Sequence, residues 1–302
     1  MTDGRLDVLS VRIPLSASLK VSVLIVVLFG ASLLAAPQSR FFDSAGIQIH
    51  YLEEGTGQPV VLLHGYTSNA ESWIRNGVFA ELAKGYHVIA LDCRGHGESG
   101  KPHTAEQYGR EMARDVLRLL DVLGIDRAHI IGYSLGAQIA AQLVVSSPER
   151  FRTAILGGAA GRWAWTAADE QLANVEATEM EQRMLRSQLL RVASASGPRL
   201  TEEQIRAESA RRLAGLDTTA LAALRRSMRD TVVSPAQIAA IKIPTLGIVG
   251  SADPALKDFR ELQKLLPRLQ LAVIDGASHV ATPTRPEFVR TILRFLMANG
   301  AV

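Results

Sequence analysis

Apolar residues along this chain occur in two kinds of pattern. Continuous apolar runs are typical of strands buried on both faces of a sheet, and apolar positions three or four residues apart are typical of helices. We predict strands at Ile47–Leu52, Pro59–Leu63, His87–Leu91, Ala128–Ile131, Thr153–Leu156, Thr245–Val249 and Leu269–Ile274. We predict helices at Met112–Leu123, Leu135–Val145 and Phe288–Met297. Strands that alternate with helices indicate the α/β class, with a mostly parallel central sheet flanked by helices.

One long stretch interrupts that alternation. Residues Gly161 to Ala240 contain no strand pattern and are rich in Ala, Leu, Gln, Glu and Arg, which favours exposed helices with paired charges. We predict a helical lid at about 161–240, inserted between two sheet strands and placed over the sheet edge where α/β proteins bind ligands. The alternative is a helical segment that only covers the surface. We expect Trp163 and Trp165 to pack the lid against the sheet, and we expect its arginines to form a solvated, paired face rather than bind an acidic substrate.

The most apolar segment lies near the N-terminus, at Val21–Ala36. It follows a basic region and is shorter than the roughly 20 residues that span a membrane, a combination typical of a secretory signal peptide. Leu33 and Leu34 stand where a cleavage site favours small residues, so an uncleaved anchor stays open. We predict that residues 1–36 are a signal peptide or an N-terminal membrane anchor and that residues 37–302 form the folded domain. We expect the protein to be exported, either to the periplasm or out of the cell. The alternative is a protein that stays anchored in a membrane through contact of residues 21–36.

Composition excludes several classes of protein. The 302 residues include 33 Lys and Arg against 30 Asp and Glu, and 47% are hydrophobic, which excludes an intrinsically disordered chain. A single long apolar run excludes a polytopic membrane protein. Basic residues are interleaved with acidic ones, so we expect no nucleic-acid partner. The lone cysteine, Cys93, allows no internal disulfide, and the sequence lacks Cys/His metal spacing and a Gly-rich phosphate loop, so we expect no metal and no cofactor.

A serine between two glycines, in the run GYSLG at 132–136, is the strongest chemical signal in the chain. It follows a predicted strand and begins a predicted helix, and such a turn exposes the serine oxygen at the edge of the sheet. Glycine on both sides leaves room for the strained backbone that this turn requires. We therefore predict that Ser134 is a nucleophile.

A serine nucleophile needs a histidine base and an acid that orients it. In sheets of this kind the chain order is serine, acid, histidine, and His279 is the only histidine after Ser134. Asp253 follows a predicted strand in the run GSADP and lies between the other two along the chain. The competitor is Asp275, which we expect to hydrogen-bond within its own turn. We predict Ser134, Asp253 and His279 as a catalytic triad.

Acyl transfer also needs two backbone N–H groups that bind the developing oxyanion. The N–H of Leu135, directly after the nucleophile, is the first that we predict. The second is the N–H of Tyr66, in the loop that follows the strand Pro59–Leu63. We expect His64, in the same loop, to hold the loop rather than to react.

These residues carry a family resemblance. From about Phe41 to Met297 the chain resembles the α/β-hydrolase fold superfamily, in its lidded serine-hydrolase branch. The matching motifs are HG at 64–65, DCRGHGES at 92–99, GYSLG at 132–136, GSADP at 250–254 and GASH at 276–279. In that family the loop at 92–99 is structural, which implies that Asp92, Arg94 and His96 are scaffolding and that Cys93 is not the nucleophile.

Two differences from the sequence motifs of related branches restrict the range of expected activities. Serine rather than aspartate at position 134 argues against the haloalkane dehalogenases and epoxide hydrolases, which resemble this chain elsewhere. The run HGYT at 64–67 differs from the HGGG of one group of lipases and esterases, which puts large or tertiary-alcohol esters in doubt.

The resemblance implies a serine hydrolase that cleaves a carboxylic ester, thioester or lactone of a small-molecule acyl substrate through an acyl-enzyme. The same triad also serves C–C bond hydrolysis and cofactor-free perhydrolysis, and both stay open. A non-catalytic ligand-binding protein of the same fold is a third alternative, against which the complete triad argues. No sequence feature indicates an oligomeric state.

Overall fold

A computed structural model of the chain describes residues 36–193, 197 and 199–300. The predicted signal peptide or membrane anchor at residues 1–36 lies, but for Ala36, outside the described residues. Within the described part of the chain, no helix has both the length and the apolar character needed to cross a membrane.

The described residues form one sheet of eight strands. The strands are β1 (Gln38–Ser44), β2 (Ile47–Glu54), β3 (Gln58–Leu63), β4 (Tyr86–Leu91), β5 (Ala128–Tyr133), β6 (Phe151–Gly157), β7 (Thr245–Gly250) and β8 (Gln270–Ile274). Their order across the sheet is β1-β2-β4-β3-β5-β6-β7-β8. The pairs β1–β2 and β2–β4 are antiparallel, and all pairs from β4 to β8 are parallel. The predicted mostly parallel sheet is therefore confirmed.

The strand that the sequence pattern missed is β1. Its run QSRFFDS contains few apolar residues, and most of its side chains are exposed. It lies at the edge of the sheet and pairs only with β2, so it does not need the apolar run that marks a central strand. The central strands β5 and β7, by contrast, are buried along their whole length.

Helices cover both faces of this sheet. They are α1 (Ser72–Arg75), α2 (Val78–Ala83), α3 (Arg110–Val122), α4 (Leu135–Ser146), α5 (Ala167–Glu181), α6 (Arg186–Val192), α7 (Glu202–Arg212), α8 (Thr218–Arg226), α9 (Pro235–Ala239), α10 (Leu256–Leu265) and α11 (Pro286–Asn299). Apolar residues of α3, α4 and α10 pack on one face, and those of α1, α2 and α11 pack on the other. The three predicted helices are present with shifted ends, whereas α1, α2 and α10 were not predicted.

Helices α5 to α9 lie between β6 and β7, and we refer to them as the helical insertion. No strand occurs in the described residues of this stretch, in agreement with the composition. The insertion has a small apolar core of its own, in which Met180, Leu189 and Leu221 are buried. Trp163 and Trp165, which precede it, pack against the main core beside α4, as expected from the sequence.

Candidate active site

Ser134 lies on a sharp turn between β5 and α4. Its backbone has φ 53° and ψ −109°, a strained conformation for a residue with a side chain. A Cβ on Gly132 would lie 2.1 Å from the carbonyl oxygen of Gly136, and a Cβ on Gly136 would lie 2.1 Å from that of Leu63. Both flanking glycines are therefore required because backbone passes too close for any side chain. The turn that the motif predicts is present.

The three residues of the predicted triad form one hydrogen-bonded chain. His279, in the loop after β8, places Nε2 3.1 Å from the Ser134 Oγ and Nδ1 2.8 Å from the Asp253 Oδ2. Asp253, in the loop after β7, is buried, and its other oxygen accepts the N–H of Ala255 at 2.9 Å. With Nδ1–H donating to the carboxylate, Nε2 is left to accept the serine proton, which is the arrangement that a general base requires.

Asp275, the competing acid, does not contact the histidine ring. Its Oδ1 accepts a hydrogen bond from the Ser251 hydroxyl at 3.1 Å on the exposed side of the loop. The carboxylate that the structure pairs with His279 is that of Asp253.

Tyr133 is a site residue that the sequence analysis did not single out. Its ring packs against that of His279, with 5.5 Å between the centroids, and its hydroxyl donates a hydrogen bond to the backbone carbonyl of His279. Burial raises the pKa of Tyr133, which keeps the hydroxyl protonated as a donor. Its position in the sequence could have identified it, because Tyr133 directly precedes Ser134 and is the last residue of β5.

The two predicted oxyanion donors face no acceptor within the described protein. Neither the N–H of Leu135 nor that of Tyr66 makes a hydrogen bond to any described residue. Gly65 brings the Tyr66 loop close to the nucleophile, because a Cβ at Gly65 would lie 3.4 Å from the Cβ of Ser134. Two unused N–H groups next to a nucleophile are what an oxyanion hole requires. The Tyr66 hydroxyl donates to the carbonyl of Leu221 at 2.8 Å, which ties this loop to α8.

His64 holds the loop below the site, as the sequence analysis expected. Its Nδ1–H donates to the Gly65 carbonyl at 2.8 Å, and its Nε2 accepts the N–H of Cys93 at 3.1 Å. Its ring lies edge-on to that of His96, with 4.9 Å between the centroids. Burial lowers the pKa of His64 and lowers that of His96 to about 3, so both rings are neutral at physiological pH.

Asp92 accepts the hydrogen bonds that hold the loop at 92–99. It accepts hydrogen bonds from the His50 ring at 2.7 Å and from the N–H groups of Ala70 and Glu98 at 2.6 and 2.9 Å. Burial alone would raise the pKa of Asp92, but the His50 hydrogen bond and the nearby donors lower it well below its usual range. The loop is therefore built around a buried, ionised carboxylate.

Two further residues of this loop have structural contacts only. Arg94 forms a buried ion pair with Asp115 at 2.5 Å. Cys93 is buried, and burial raises the pKa of its thiol, which makes it a poor nucleophile. The described residues contain no group of three or more His, Cys, Asp or Glu side chains that could hold a metal ion.

A cavity of about 330 Å³ reaches Ser134 and His279. Its walls come from the sheet edge on one side and from the helical insertion on the other. The insertion and the turn after α8 contribute Gln188, Arg191, Arg212, Leu224, Arg225 and Met228. Trp163 and Trp165 do not line it. The volume lies at the small end of ligand pockets, which indicates a small substrate.

Comparison with known proteins places the chain in a family. Residues 58–286 match the family described as the alpha/beta hydrolase fold. The chain is 40% identical over 117 residues to the dihydrolipoyllysine-residue acetyltransferase component of the acetoin cleaving system of Cupriavidus necator, a match that covers 38% of this chain and 30% of the relative. It is 40% identical over 123 residues to the 2-hydroxy-6-oxo-6-phenylhexa-2,4-dienoate hydrolase of Comamonas testosteroni, which covers 39% of this chain and 42% of the relative.

Less than half of either relative's length is thus matched. Among solved structures, an N-acyl homoserine lactone degrading enzyme superposes with a TM-score of 0.66 at 26% identity, over 87% of this chain and all of the other. The family match covers most of the chain and includes strands β3 to β8, the serine turn and the loops that carry Asp253 and His279. The chain therefore belongs to the α/β-hydrolase fold family and is a hydrolase.

Proposed function

We propose that the protein is a serine hydrolase that cleaves a carboxylic ester, thioester or lactone of a small acyl compound. One observation carries the proposal: the chain Ser134–His279–Asp253 ends beside two unused backbone N–H groups, and both open into the same cavity. A nucleophile, a base, an orienting acid and an oxyanion hole are the parts that acyl transfer needs.

The reaction proceeds in two halves. The Ser134 oxygen attacks the carbonyl carbon while His279 Nε2 takes the hydroxyl proton, and the carbonyl oxygen becomes an oxyanion bound by the N–H groups of Leu135 and Tyr66. Collapse of this intermediate breaks the ester C–O bond, and the departing oxygen takes the proton from His279. Water then gives a proton to His279 and attacks the acyl-enzyme, and the proton returns to Ser134 as the carboxylic acid leaves.

We also propose that the helical insertion acts as a lid. Its residues form one wall of the cavity, and the Tyr66 hydroxyl bonds its helix α8. A movement of α8 would therefore change both the cavity and the loop that carries the second oxyanion donor.

The proposed activity is tested with a panel of 4-nitrophenyl esters, thioesters and lactones, assayed with wild type and Ser134→Ala. Wild type is expected to hydrolyse short-chain members, and Ser134→Ala is expected to lose on the order of 10⁴-fold or more in kcat, because no other group replaces the nucleophile. Thermal unfolding of both proteins serves as the folding control. Equal activity of the two proteins would rule out Ser134 as the nucleophile.

A second candidate is hydrolysis of a C–C bond next to a ketone. The similarity to the dienoate hydrolase of Comamonas testosteroni favours it, although that match covers 39% of this chain. A 2-hydroxy-6-oxo-dienoate in the same panel separates the two candidates. If kcat/KM for this compound is higher than that for every ester, C–C bond hydrolysis rather than ester hydrolysis is the activity of the protein.

The N-terminal prediction remains a proposal, namely that residues 1–36 direct export or anchor the protein in a membrane. Expression of the full chain in a secreting bacterial host, followed by mass spectrometry of the N-terminus, tests it. A start near residue 37 supports cleavage, an intact chain in the membrane fraction supports an anchor, and an intact chain in the cytosol contradicts both.

A further inference from the structure

The cavity wall contributed by the helical insertion is cationic. Arg191, Arg212 and Arg225 line it, and Arg75 lines the other side, whereas no Asp or Glu belongs to the described lining. The composition of the insertion predicts that its arginines form a solvated, paired face. Several do so, but these three face the cavity that reaches the nucleophile.

Ion pairing neutralises this wall incompletely. Arg75 pairs with Glu71, one cation for one carboxylate, whereas Arg212 shares Glu208 with Arg211, which does not line the cavity. Arg191 and Arg225, which both line the cavity, share Glu176: its two oxygens lie 2.8 Å from the Nε of Arg191 and 2.5 Å from the Nε of Arg225.

The shared carboxylate leaves one positive charge over. Glu176 is buried behind the two arginines and does not line the cavity. One carboxylate between two guanidinium groups leaves a net charge of one at this wall. The Arg225 side chain is 9% exposed, and a buried charge interacts more strongly with an anion than an exposed one does.

Arg225 is the most buried of the four arginines that line the cavity, and it has unused hydrogen-bond donors. Its side chain is 9% exposed, and its only ion pair uses Nε. Its Nη1 and Nη2 groups make no hydrogen bond to any described residue. Guanidinium nitrogens without partners form a planar fork that fits the two oxygens of a carboxylate.

Arg225 is also linked to the reaction site. It lies one helical turn after Leu221, whose carbonyl accepts the hydroxyl of Tyr66, the residue that carries the second oxyanion donor. The free Nη groups and the oxyanion hole therefore line the same cavity of about 330 Å³, and the Tyr66–Leu221 hydrogen bond connects them.

We propose that the cavity takes substrates that carry a carboxylate remote from the bond that is cleaved, and that the free Nη groups of Arg225 bind this carboxylate. This inference rests on the proposed function and specifies its substrate class: half-esters of short dicarboxylic acids, or lactones with a carboxylate side chain. Arg225 is a specificity-determining residue in this role.

The test compares 4-nitrophenyl hydrogen glutarate with 4-nitrophenyl methyl glutarate, which share a leaving group and a chain and differ in the charge of the far end. Wild type is expected to show a kcat/KM about 10- to 100-fold higher for the anionic ester, the range for a hydrogen bond to a charged group. Arg225→Met is expected to bring this ratio close to one. The variant leaves Glu176 paired with Arg191, so no buried carboxylate is orphaned.

Arg226→Gln is the matched control. Arg226 is the next residue of the same helix and also pairs with a glutamate, Glu181, at 2.6 Å, but it does not line the cavity. This variant is expected to keep the wild-type ratio. Wild type that prefers the neutral ester, or an Arg225→Met ratio equal to that of wild type, would overturn the inference.

A binding experiment separates this inference from the proposed function. If wild type hydrolyses neither ester, ester hydrolysis fails, and calorimetry with monomethyl glutarate then tests the anion site by itself. Binding to wild type that is lost in Arg225→Met and kept in Arg226→Gln supports the site. Absence of binding, or equal binding to all three proteins, overturns it.

Discussion

The sheet edge and the helical insertion form opposite walls of one cavity, and they are held by different forces. At the sheet edge, Ser134, Asp253 and His279 follow strands β5, β7 and β8, which are hydrogen-bonded to their neighbours. In the insertion, a small apolar core supports charged side chains that are held mainly by ion pairs, such as those of Glu176. The reacting groups are therefore fixed by the backbone of the sheet, whereas the groups proposed to select the substrate are placed by side-chain pairing.

The largest effect is expected from the acid at the sheet edge. Asp253→Asn is predicted to lower kcat on the order of 10⁴-fold, because an amide no longer holds the imidazole with its proton on Nδ1. Steady-state hydrolysis of a 4-nitrophenyl ester measures it. Asp275→Asn is the matched control and should stay within about twofold of wild type, since its contact is with Ser251. A large loss of activity in Asp275→Asn together with near wild-type activity in Asp253→Asn would identify Asp275 as the acid of the triad.

A glycine substitution tests the rigidity of the same edge. Gly136→Ala is predicted to destabilise the protein by about 3 kcal/mol, because its Cβ would lie 2.1 Å from the backbone oxygen of Leu63. Gly124→Ala, at φ +64° with open space around it, should cost only the strain of a left-handed residue, about 1 kcal/mol. Urea unfolding of both variants measures the difference. Equal losses would contradict a sheet edge that is closed by backbone contact.

Acid is predicted to weaken the sheet edge before it affects the insertion. Burial lowers the pKa of His96 to about 3 and also lowers that of His64, whereas the unfolded value is 6.5. The unfolded state therefore binds more protons below pH 6.5, and stability should fall by about 1.4 kcal/mol per pH unit for each neutral ring, down to the folded pKa. Hydrogen bonds from Arg211 lower the pKa of the insertion residue Glu208 to about 2, so that pair stays ionised over the same range.

Urea unfolding at pH 7 and at pH 5 measures this slope. In His96→Gln the slope should be smaller by the share of one imidazole, whatever the variant's stability at pH 7. An unchanged slope would show that His96 is not held neutral in the folded state.

The smallest effect is expected from a surface pair of the insertion. Glu181→Gln removes the partner of Arg226, and both side chains are about two-fifths exposed. Its removal should change the free energy of unfolding by less than about 1 kcal/mol, because water and salt screen exposed ion pairs. Unfolding in low and in 1 M salt checks this. A loss comparable to that of Gly136→Ala would contradict the view that such pairs add little stability.

The sheet and the predicted triad could be read from the sequence because few residues specify each. Buried parallel strands need continuous apolar runs, and the glycines around Ser134 are demanded by close backbone contacts. Asp253 and His279 both follow strand ends, which meet at one edge of the sheet. Strand β1 was missed because an edge strand can be polar, and α1 and α2 were missed because helices this short carry little periodicity.

The cationic wall could not be read in the same way. Residues 162–230 contain eleven arginines and ten acidic residues, and composition alone suggests that they cancel. Glu176 pairs with Arg191 and Arg225, which are 15 and 49 residues away along the chain. Only the packing of α5, α6 and α8 shows that two arginines share one carboxylate.

The most direct test of the proposed catalytic role of Ser134 is labelling with a fluorophosphonate, which reacts covalently with an activated serine. Folded wild-type protein is treated with the probe, digested, and sequenced by mass spectrometry. We predict one labelled peptide, with the phosphonate on Ser134, and no label after heat unfolding or in Ser134→Ala. Folded protein that stays unlabelled, or a label on any other residue, would contradict the assignment of Ser134 as the nucleophile.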